Sequence, residues 1–248
     1  MNPSRISILG IDGSGKSSTT LRAITALGQQ FSICKTGRNP CSISKGHLSY
    51  CVPKTARFFE GLFKRVDATK NRRWIGLIRL FFVLFQGWLE PYMVRVYNPD
   101  VIMTTRCMII DSAIYSDFYY PVVSRRMTTQ SKLKVAQRCS RLPFRDLYFL
   151  LDTPIQMAME RIYKRISQDH PERTFGRDYW LHLHEHEDTL RLLDQKFRKT
   201  LPVAQRMGSF KVIEVDTSSR NEEGVAQSIS EYSRAFCEGN SFEWWKRI

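Results

Sequence analysis

The chain has 248 residues, 42% of them hydrophobic and 25% charged, which excludes disorder as its main state and suits one domain or at most two small ones. Thirteen Gly and ten Pro are too few for a low-complexity or collagen-like chain. Thirty-eight Lys plus Arg against 24 Asp plus Glu leave a net charge of +14, which favours polyanionic partners such as nucleotides, nucleic acid or an acidic membrane surface, or else reflects a solvated basic surface.

Short apolar strands alternate with longer helical stretches along the chain. Arg5-Ile-Ser-Ile-Leu9 reads as a strand leading into a Gly-rich turn, followed by a helix from about Lys16 to Gln30. Phe31-Ser-Ile-Cys-Lys35 is a second strand, and a long helical region from about Lys70 to Tyr97 precedes a third, Val101-Ile-Met-Thr-Thr105. Asp146-Leu-Tyr-Phe-Leu-Leu-Asp152 is the fourth strand, after which Pro154 suits a first helical turn. Phe210-Lys-Val-Ile-Glu-Val215 is the fifth, before a final helix from about Asn221 to Phe236.

Strands of this kind, without clean two-residue alternation and separated by helices, predict an α/β fold: a doubly wound, five-stranded parallel sheet with helices on both faces. No internal repeat and no Gly/Ser- or Pro-rich linker divides the chain, so a single domain over residues 1–240 is expected, with an aromatic and basic tail over 241–248.

Trp74–Val94 is strongly apolar, but Arg79, Gln86, Glu90 and Pro91 interrupt it. Its unbroken run, Leu80-Phe-Phe-Val-Leu-Phe85, is far short of a membrane-spanning length. A buried helix or a subunit-contact helix is expected there, and with it a possible homodimer. The Phe242-Glu-Trp-Trp-Lys-Arg-Ile248 tail is expected to dock on the protein rather than lie on a membrane surface, although membrane contact stays open. Six scattered cysteines with no Cys-x-x-Cys pair, and a start without signal-peptide character, predict reduced thiols in a cytoplasmic protein.

The strongest signal is Gly10-Ile-Asp-Gly-Ser-Gly15-Lys16-Ser17, which satisfies the phosphate-loop pattern and sits after a strand and at the start of a helix. Its glycines let the backbone wrap around phosphates and aim N–H groups inward, where the helix N-terminus adds positive potential. ATP is the expected nucleotide, with Gly10, Gly13, Ser14, Gly15, Lys16, Ser17 and Ser18 as its contacts. Lys16 would neutralise β- and γ-phosphate charge, and the Ser17 hydroxyl would ligate Mg²⁺. Asp12 would stand beside the γ-phosphate, where a carboxylate is costly unless it handles a proton or a metal-bound water; the alternative is a turn-forming Asp.

With these motifs the chain resembles the thymidylate kinase family, small P-loop kinases that phosphorylate a nucleoside monophosphate. Ile8-Leu-Gly-Ile-Asp-Gly-Ser-Gly-Lys-Ser is similar to the family's phosphate loop. Leu147-Tyr-Phe-Leu-Leu-Asp-Thr-Pro with Ala158-Met-Glu-Arg-Ile-Tyr-Lys-Arg165 is similar to its fourth strand and following helix, and Val212-Ile-Glu-Val-Asp-Thr to its last strand and adenine-side loop.

The resemblance implies that Arg106 and Arg38 hold the acceptor phosphate, although Thr105 stands where the family has an Asp and Arg38-Asn39-Pro40 where it has Arg-Glu-Pro. Gln86 stands in the region where the family reads the base with an Arg. Asp111, in Arg106-Cys-Met-Ile-Ile-Asp111, either points into the acceptor pocket, as in some divergent relatives, or is a helix-start carboxylate favoured by the dipole.

Ser167-Gln-Asp-His-Pro-Glu-Arg173-Thr-Phe-Gly-Arg177-Asp178 reads as a mobile loop. By resemblance it is a lid, about 167–179, that brings Arg173 or Arg177 onto the transferring phosphoryl group. Arg161 and Arg165 on the adjoining helix either support phosphate contacts or are exposed. His182, His184 and His186 lack the companions of a metal site and read as solvated.

These readings imply an ATP- and Mg²⁺-dependent phosphotransferase whose acceptor is a nucleoside monophosphate, dTMP first. Two alternatives stand beside it: the same chemistry on a sugar, lipid head group or other phosphate, and a nucleotide-binding switch at a membrane or nucleic acid. Nucleic acid as a partner is not expected.

Overall fold

A computed structural model of the chain describes residues 3–36, 40–50, 72–105, 107–119, 126–139, 145–169, 186–207 and 210–239, with Phe58, Leu62, Arg65 and Ser124. Among these residues lie seven strands, β1 (Ser4–Leu9), β2 (Ile33–Thr36), β3 (Cys41–Ser44), β4 (His47–Tyr50), β5 (Val101–Thr104), β6 (Arg145–Asp152) and β7 (Phe210–Asp216). The seven helices are α1 (Lys16–Leu27), α2 (Arg72–Tyr97), α3 (Met108–Tyr119), α4 (Thr129–Cys139), α5 (Ile155–Asp169), α6 (Glu187–Arg206) and α7 (Glu222–Cys237).

All strands form one sheet of order β4-β3-β2-β5-β1-β6-β7. The five expected strands are present and run parallel, with β1 between β5 and β6. The strand count of five is corrected to seven. A hairpin, β3–β4, adds two antiparallel strands outside β2. Its turn takes the left-handed conformation at Lys45 (φ 51) and Gly46 (φ 78), as a two-residue hairpin loop requires.

Both faces of the sheet are covered, which is why the strands lack simple alternation. On one face Ile6, Ile8, Leu147, Phe149, Leu151, Ile213 and Val215 pack against α1 and α7. On the other, Leu9, Tyr148, Leu150 and Val212 pack against α3, α4, α5 and α6. α2 lies against β2 on that second side, where Cys34, Leu89 and Met93 form a small cluster.

Three of the helices show locally why they form. α5 follows Pro154, whose carbonyl accepts the Ala158 N–H at 3.0 Å, and it buries Ala158 and Ile162 one turn apart. α6 buries Leu190, Leu193, Phe197, Leu201 and Ala204 at helical spacing and starts with Glu187 and Asp188, which complement its dipole. α7 is capped by Asn221, whose side chain accepts the Gly224 N–H at 2.8 Å.

The expectation of a helix over the apolar stretch holds, since α2 runs unbroken through Pro91. It is not buried all round: Leu89, Glu90 and Met93 are buried, whereas Trp74, Phe81 and Tyr92 are each more than half exposed. Among the described residues no helix is long and apolar enough to cross a membrane. Among the described residues, Cys34, Cys41, Cys107 and Cys237 form no disulfide. The 241–248 tail lies outside the described residues.

The hairpin meets the end of α1 at Gly28, where a Cβ would stand 2.2 Å from Ile43 Cγ2 and 2.8 Å from the Ile24 carbonyl. Gly28→Ala must therefore push β3 away from α1, and it should lower stability by about 1–3 kcal/mol. A denaturation midpoint equal to that of the wild type would contradict this packing.

Candidate functional site

β1 delivers the chain to the carboxyl edge of the sheet at Leu9, and the phosphate loop begins at the next residue. Gly10 (φ 146), Gly13 (φ 81) and Gly15 (φ 87) all lie at positive φ, so the curl of the loop needs these three glycines. Gly13 is also pressed onto α5: a Cβ there would lie 2.4 Å from the Ala158 carbonyl oxygen. A Cβ at Gly10 would lie 2.8 Å from Ser14 Oγ, and Ser14 is itself buried at 2% exposure.

Gly15 is the N-cap of α1, with no side chain capping the helix and no acidic residue in its first turn. The first N–H groups of α1 and its dipole are thus left available to an anion. Lys16 folds back over the loop, donating from Nζ to the carbonyls of Gly10 (2.9 Å) and Ile11 (2.5 Å). Asp12 Oδ1 stands 3.6 Å from the same Nζ, within ion-pair distance of the lysine. Ser17 and Ser18 are exposed at the helix start, and Ser18 Oγ donates to the Gly15 carbonyl at 3.1 Å.

α5 supplies a neighbour that the sequence left undecided. The Arg161 guanidinium reaches the Gly13 carbonyl in a long contact of 3.5 Å, with Nη2 3.2 Å from Met157 Sδ. The signal for it was its place three residues after Ala158 on the helix facing the loop.

The far wall is built from the ends of β6 and β7. The hydroxyls of Thr153 and Thr217 are 2.7 Å apart, and the Thr217 N–H donates to the Asp152 carbonyl at 3.0 Å. Arg198 of α6 fastens this wall, donating to Asp152 (2.5 Å), Glu214 (2.9 Å) and Asp194 (2.9 Å). Its hydrogen bond with Asp194 leads the effects that raise its pKa.

On the other side of β1, β5 ends at Thr104, followed by Thr105, buried at 9% exposure. Asp111 is buried at 3% in the first turn of α3, and Gln86 lies in α2. At the far end of α3, Asp117 is held by Lys132 of α4, by Lys196 of α6 at 2.7 Å, and by Ser124. Burial alone would raise its pKa, but these donors outweigh it and hold it down at about 2.

The structure therefore brings together Gly10, Asp12, Gly13, Ser14, Gly15, Lys16, Ser17 and Ser18 in one loop. Arg38, Arg106, Arg173 and Arg177 lie outside the described residues, as do His182 and His184. His186 is described: it is exposed at the start of α6, with Nδ1 3.6 Å from Asp188. No group of three metal-ligating side chains occurs among the described residues. For Mg²⁺, the donors at the loop are the exposed Ser17 hydroxyl and the Asp12 carboxylate. That hard-oxygen set suits an ion which keeps waters and takes its remaining ligands from phosphates.

No protein-family model matches the chain, and no curated protein matches it in sequence. Solved structures do share its architecture. It is similar to a deoxyadenosine kinase from M. mycoides with products dCMP and a flexible dCDP bound, at 15% identity, covering 93% of this chain and 99% of that chain with a TM-score of 0.56. The same kinase with bound dATP is similar at 18% identity, 94% and 100% coverage and a TM-score of 0.52. With bound dCTP the values are 18% identity, 93% and 99% coverage, and 0.50. The chain thus shares the fold of that kinase over nearly its whole length.

Because Gly13 has positive φ and no space for a side chain, Gly13→Ala should displace the loop from α5 and weaken ATP binding about tenfold or more. Calorimetric titration with ATP reads this directly, and unchanged affinity would separate the loop from nucleotide binding.

Proposed function

We propose that the chain is an ATP- and Mg²⁺-dependent phosphotransferase that passes the γ-phosphoryl group to a nucleoside-type acceptor, with dTMP the first candidate. The observation that carries this reading is the phosphate loop itself. Three glycines at positive φ, an uncapped helix N-terminus and Lys16 converge beyond the carboxyl end of a central strand in a kinase fold. The deoxynucleoside kinase neighbours support a nucleoside or nucleotide as acceptor. The motif resemblance favours the monophosphate.

In this reading the backbone N–H groups from Gly13 to Ser17 bind the β-phosphate region. Lys16 turns its donors from the carbonyls of Gly10 and Ile11 to the phosphate oxygens. Ser17 would hold Mg²⁺, and the ion would supply charge neutralisation there. Arg161 stands close enough to the loop to add positive charge on the α5 side, and Arg173 or Arg177 of the lid would complete the field around the transferring group.

Arg106 and Arg38 are the proposed acceptor-phosphate contacts, with Gln86 in the base-reading region and Asp111 toward the acceptor pocket, where it would compensate for the acid missing at Thr105. An acceptor that is already a phosphate needs little help from a general base, so Thr105 in place of an acid is compatible with the monophosphate. A nucleoside acceptor would need its hydroxyl proton removed, and Asp12 is the carboxylate at the loop for that role.

Lys16→Ala should lower kcat by about 10²–10³ or more in a folded protein, the scale expected for loss of a charged donor to a developing phosphoryl charge. Arg161→Ala should lower kcat by about tenfold with a smaller effect on acceptor KM. Arg106→Ala should raise acceptor KM more than ATP KM. Steady-state kinetics of the three variants check these expectations, and full turnover by Lys16→Ala would remove the loop from the reaction.

A further inference from the structure

The second residue of β1 is an arginine where a buried strand ordinarily carries an aliphatic side chain. Arg5 is 2% exposed. Its Nε and Nη2 donate to the two oxygens of Asp146 at 2.8 and 2.7 Å, directly across the β1–β6 pair, and Nη1 donates to Glu90 Oε2 of α2 at 3.1 Å. Tyr148 OH donates to Asp146 at 3.3 Å, and the Cys107 thiol donates to Tyr148 at 3.6 Å. One guanidinium thus faces two carboxyls in a region closed to water.

The two carboxyls are not equivalent. Asp146 accepts three hydrogen bonds, two from Arg5 and one from Tyr148; burial pushes its carboxyl up, and these donors offset part of that push. Glu90, also 2% exposed, accepts one, and its Oε1 is buried with no hydrogen-bond partner among the described residues. A second buried anion with one oxygen unsatisfied is strongly disfavoured, whereas a neutral acid in the same place is tolerated. Cys34 of β2, Leu89 and Met93 close the apolar side. Cys107 and, beside it, Asp111 of α3 bring no positive charge, and among the described residues Arg5 is the cation that faces Glu90.

We propose that Glu90 is a positioning residue held as the neutral acid, pinning α2 to β1 through Arg5, and that its ionisation loosens this contact. The proposal deepens the phosphotransferase reading and rests on it for its functional part, because α2 carries Gln86 one turn before Glu90. Arg5 stands five residues before the phosphate loop, so the same cluster joins the helix of the acceptor side to the strand of the ATP side.

Burial pushes the Glu90 carboxyl up, and Arg5 offsets only part of that push. The unfolded chain, with an ordinary carboxyl, loses this proton at lower pH than the folded one. The stabilising contribution is therefore full below the ordinary carboxylate range and is lost as pH rises through the raised value.

The experiment compares wild type with Glu90→Gln, which keeps shape and neutrality, from pH 5 to pH 9. Denaturation midpoints, amide exchange of α2 and acceptor KM are read for both proteins. Wild type should lose stability and α2 protection relative to Glu90→Gln as pH rises, and its acceptor KM should rise by roughly threefold or more, with ATP KM flat in both. Parallel curves for the two proteins, or a constant deficit of Glu90→Gln at every pH, would overturn the proposal.

An infrared band of a protonated carboxyl that is present in the wild type, missing from Glu90→Gln and fades as pH rises reads the group directly, and absence of that difference between the two proteins also overturns the proposal. If no acceptor is turned over, the phosphotransferase reading fails on that result, while stability, exchange and infrared still decide the state of Glu90.

Discussion

A guanidinium in the middle of a sheet has to be paired, and that requirement organises this molecule. Arg5 meets Asp146 through two short hydrogen bonds at a position where β1 and β6 are in direct register. Breaking such a buried pair costs about 3–5 kcal/mol, far more than a sheet gains from sliding. A slip by one residue would turn Arg5 to the opposite face, among Ile24, Leu147 and Phe149. The pair therefore fixes where β1 ends relative to β6, and so where Gly10 leaves the sheet relative to Asp152 and Thr153.

The geometry of the phosphate loop follows from that registration. Gly13 touches the backbone of α5 at Ala158, and α5 starts directly after the end of β6. The curl of the loop is thus held between the strand that delivers it and the helix that follows the neighbouring strand. Arg161 is carried to the loop by the same helix. On the wall opposite, Arg198 ties α6 to β6 and β7 through Asp152 and Glu214. Loop, wall and α6 are thereby joined in one framework.

Much of this was legible in the sequence, for reasons that differ by residue. The five parallel strands announce themselves as short apolar runs, and the loop by glycines whose positive φ no other residue type adopts cheaply. Pro154 marks the start of α5 to within one residue. The β3–β4 hairpin was missed because its strands have only four residues each and mix polar with apolar side chains. Lys45-Gly46 between Cys-Ser-Ile-Ser and His-Leu-Ser-Tyr was the available signal. α3 and α4 were not delimited, since α3 is apolar over most of its length and lacks a clear stripe. Arg5 reads in isolation as a charged residue at the rim of a strand. Its partners lie 85 and 141 residues away, and only folding brings them together.

Phosphoryl transfer at the loop around Lys16 to a nucleoside-type acceptor, as proposed, can be followed directly. The most direct measurement incubates the protein with Mg²⁺ and ATP carrying an isotopic label in its γ-phosphoryl group. The panel of acceptors holds deoxynucleosides, nucleoside monophosphates, sugar phosphates and prenyl phosphates, and mass spectrometry follows the label. The account predicts labelled phosphate on a nucleoside or nucleoside monophosphate, dTMP foremost, with one ADP formed per group transferred. Label found only on a sugar or prenyl phosphate would contradict the acceptor assignment. Tight ATP binding with no label transferred to any acceptor would contradict the claim of catalysis itself.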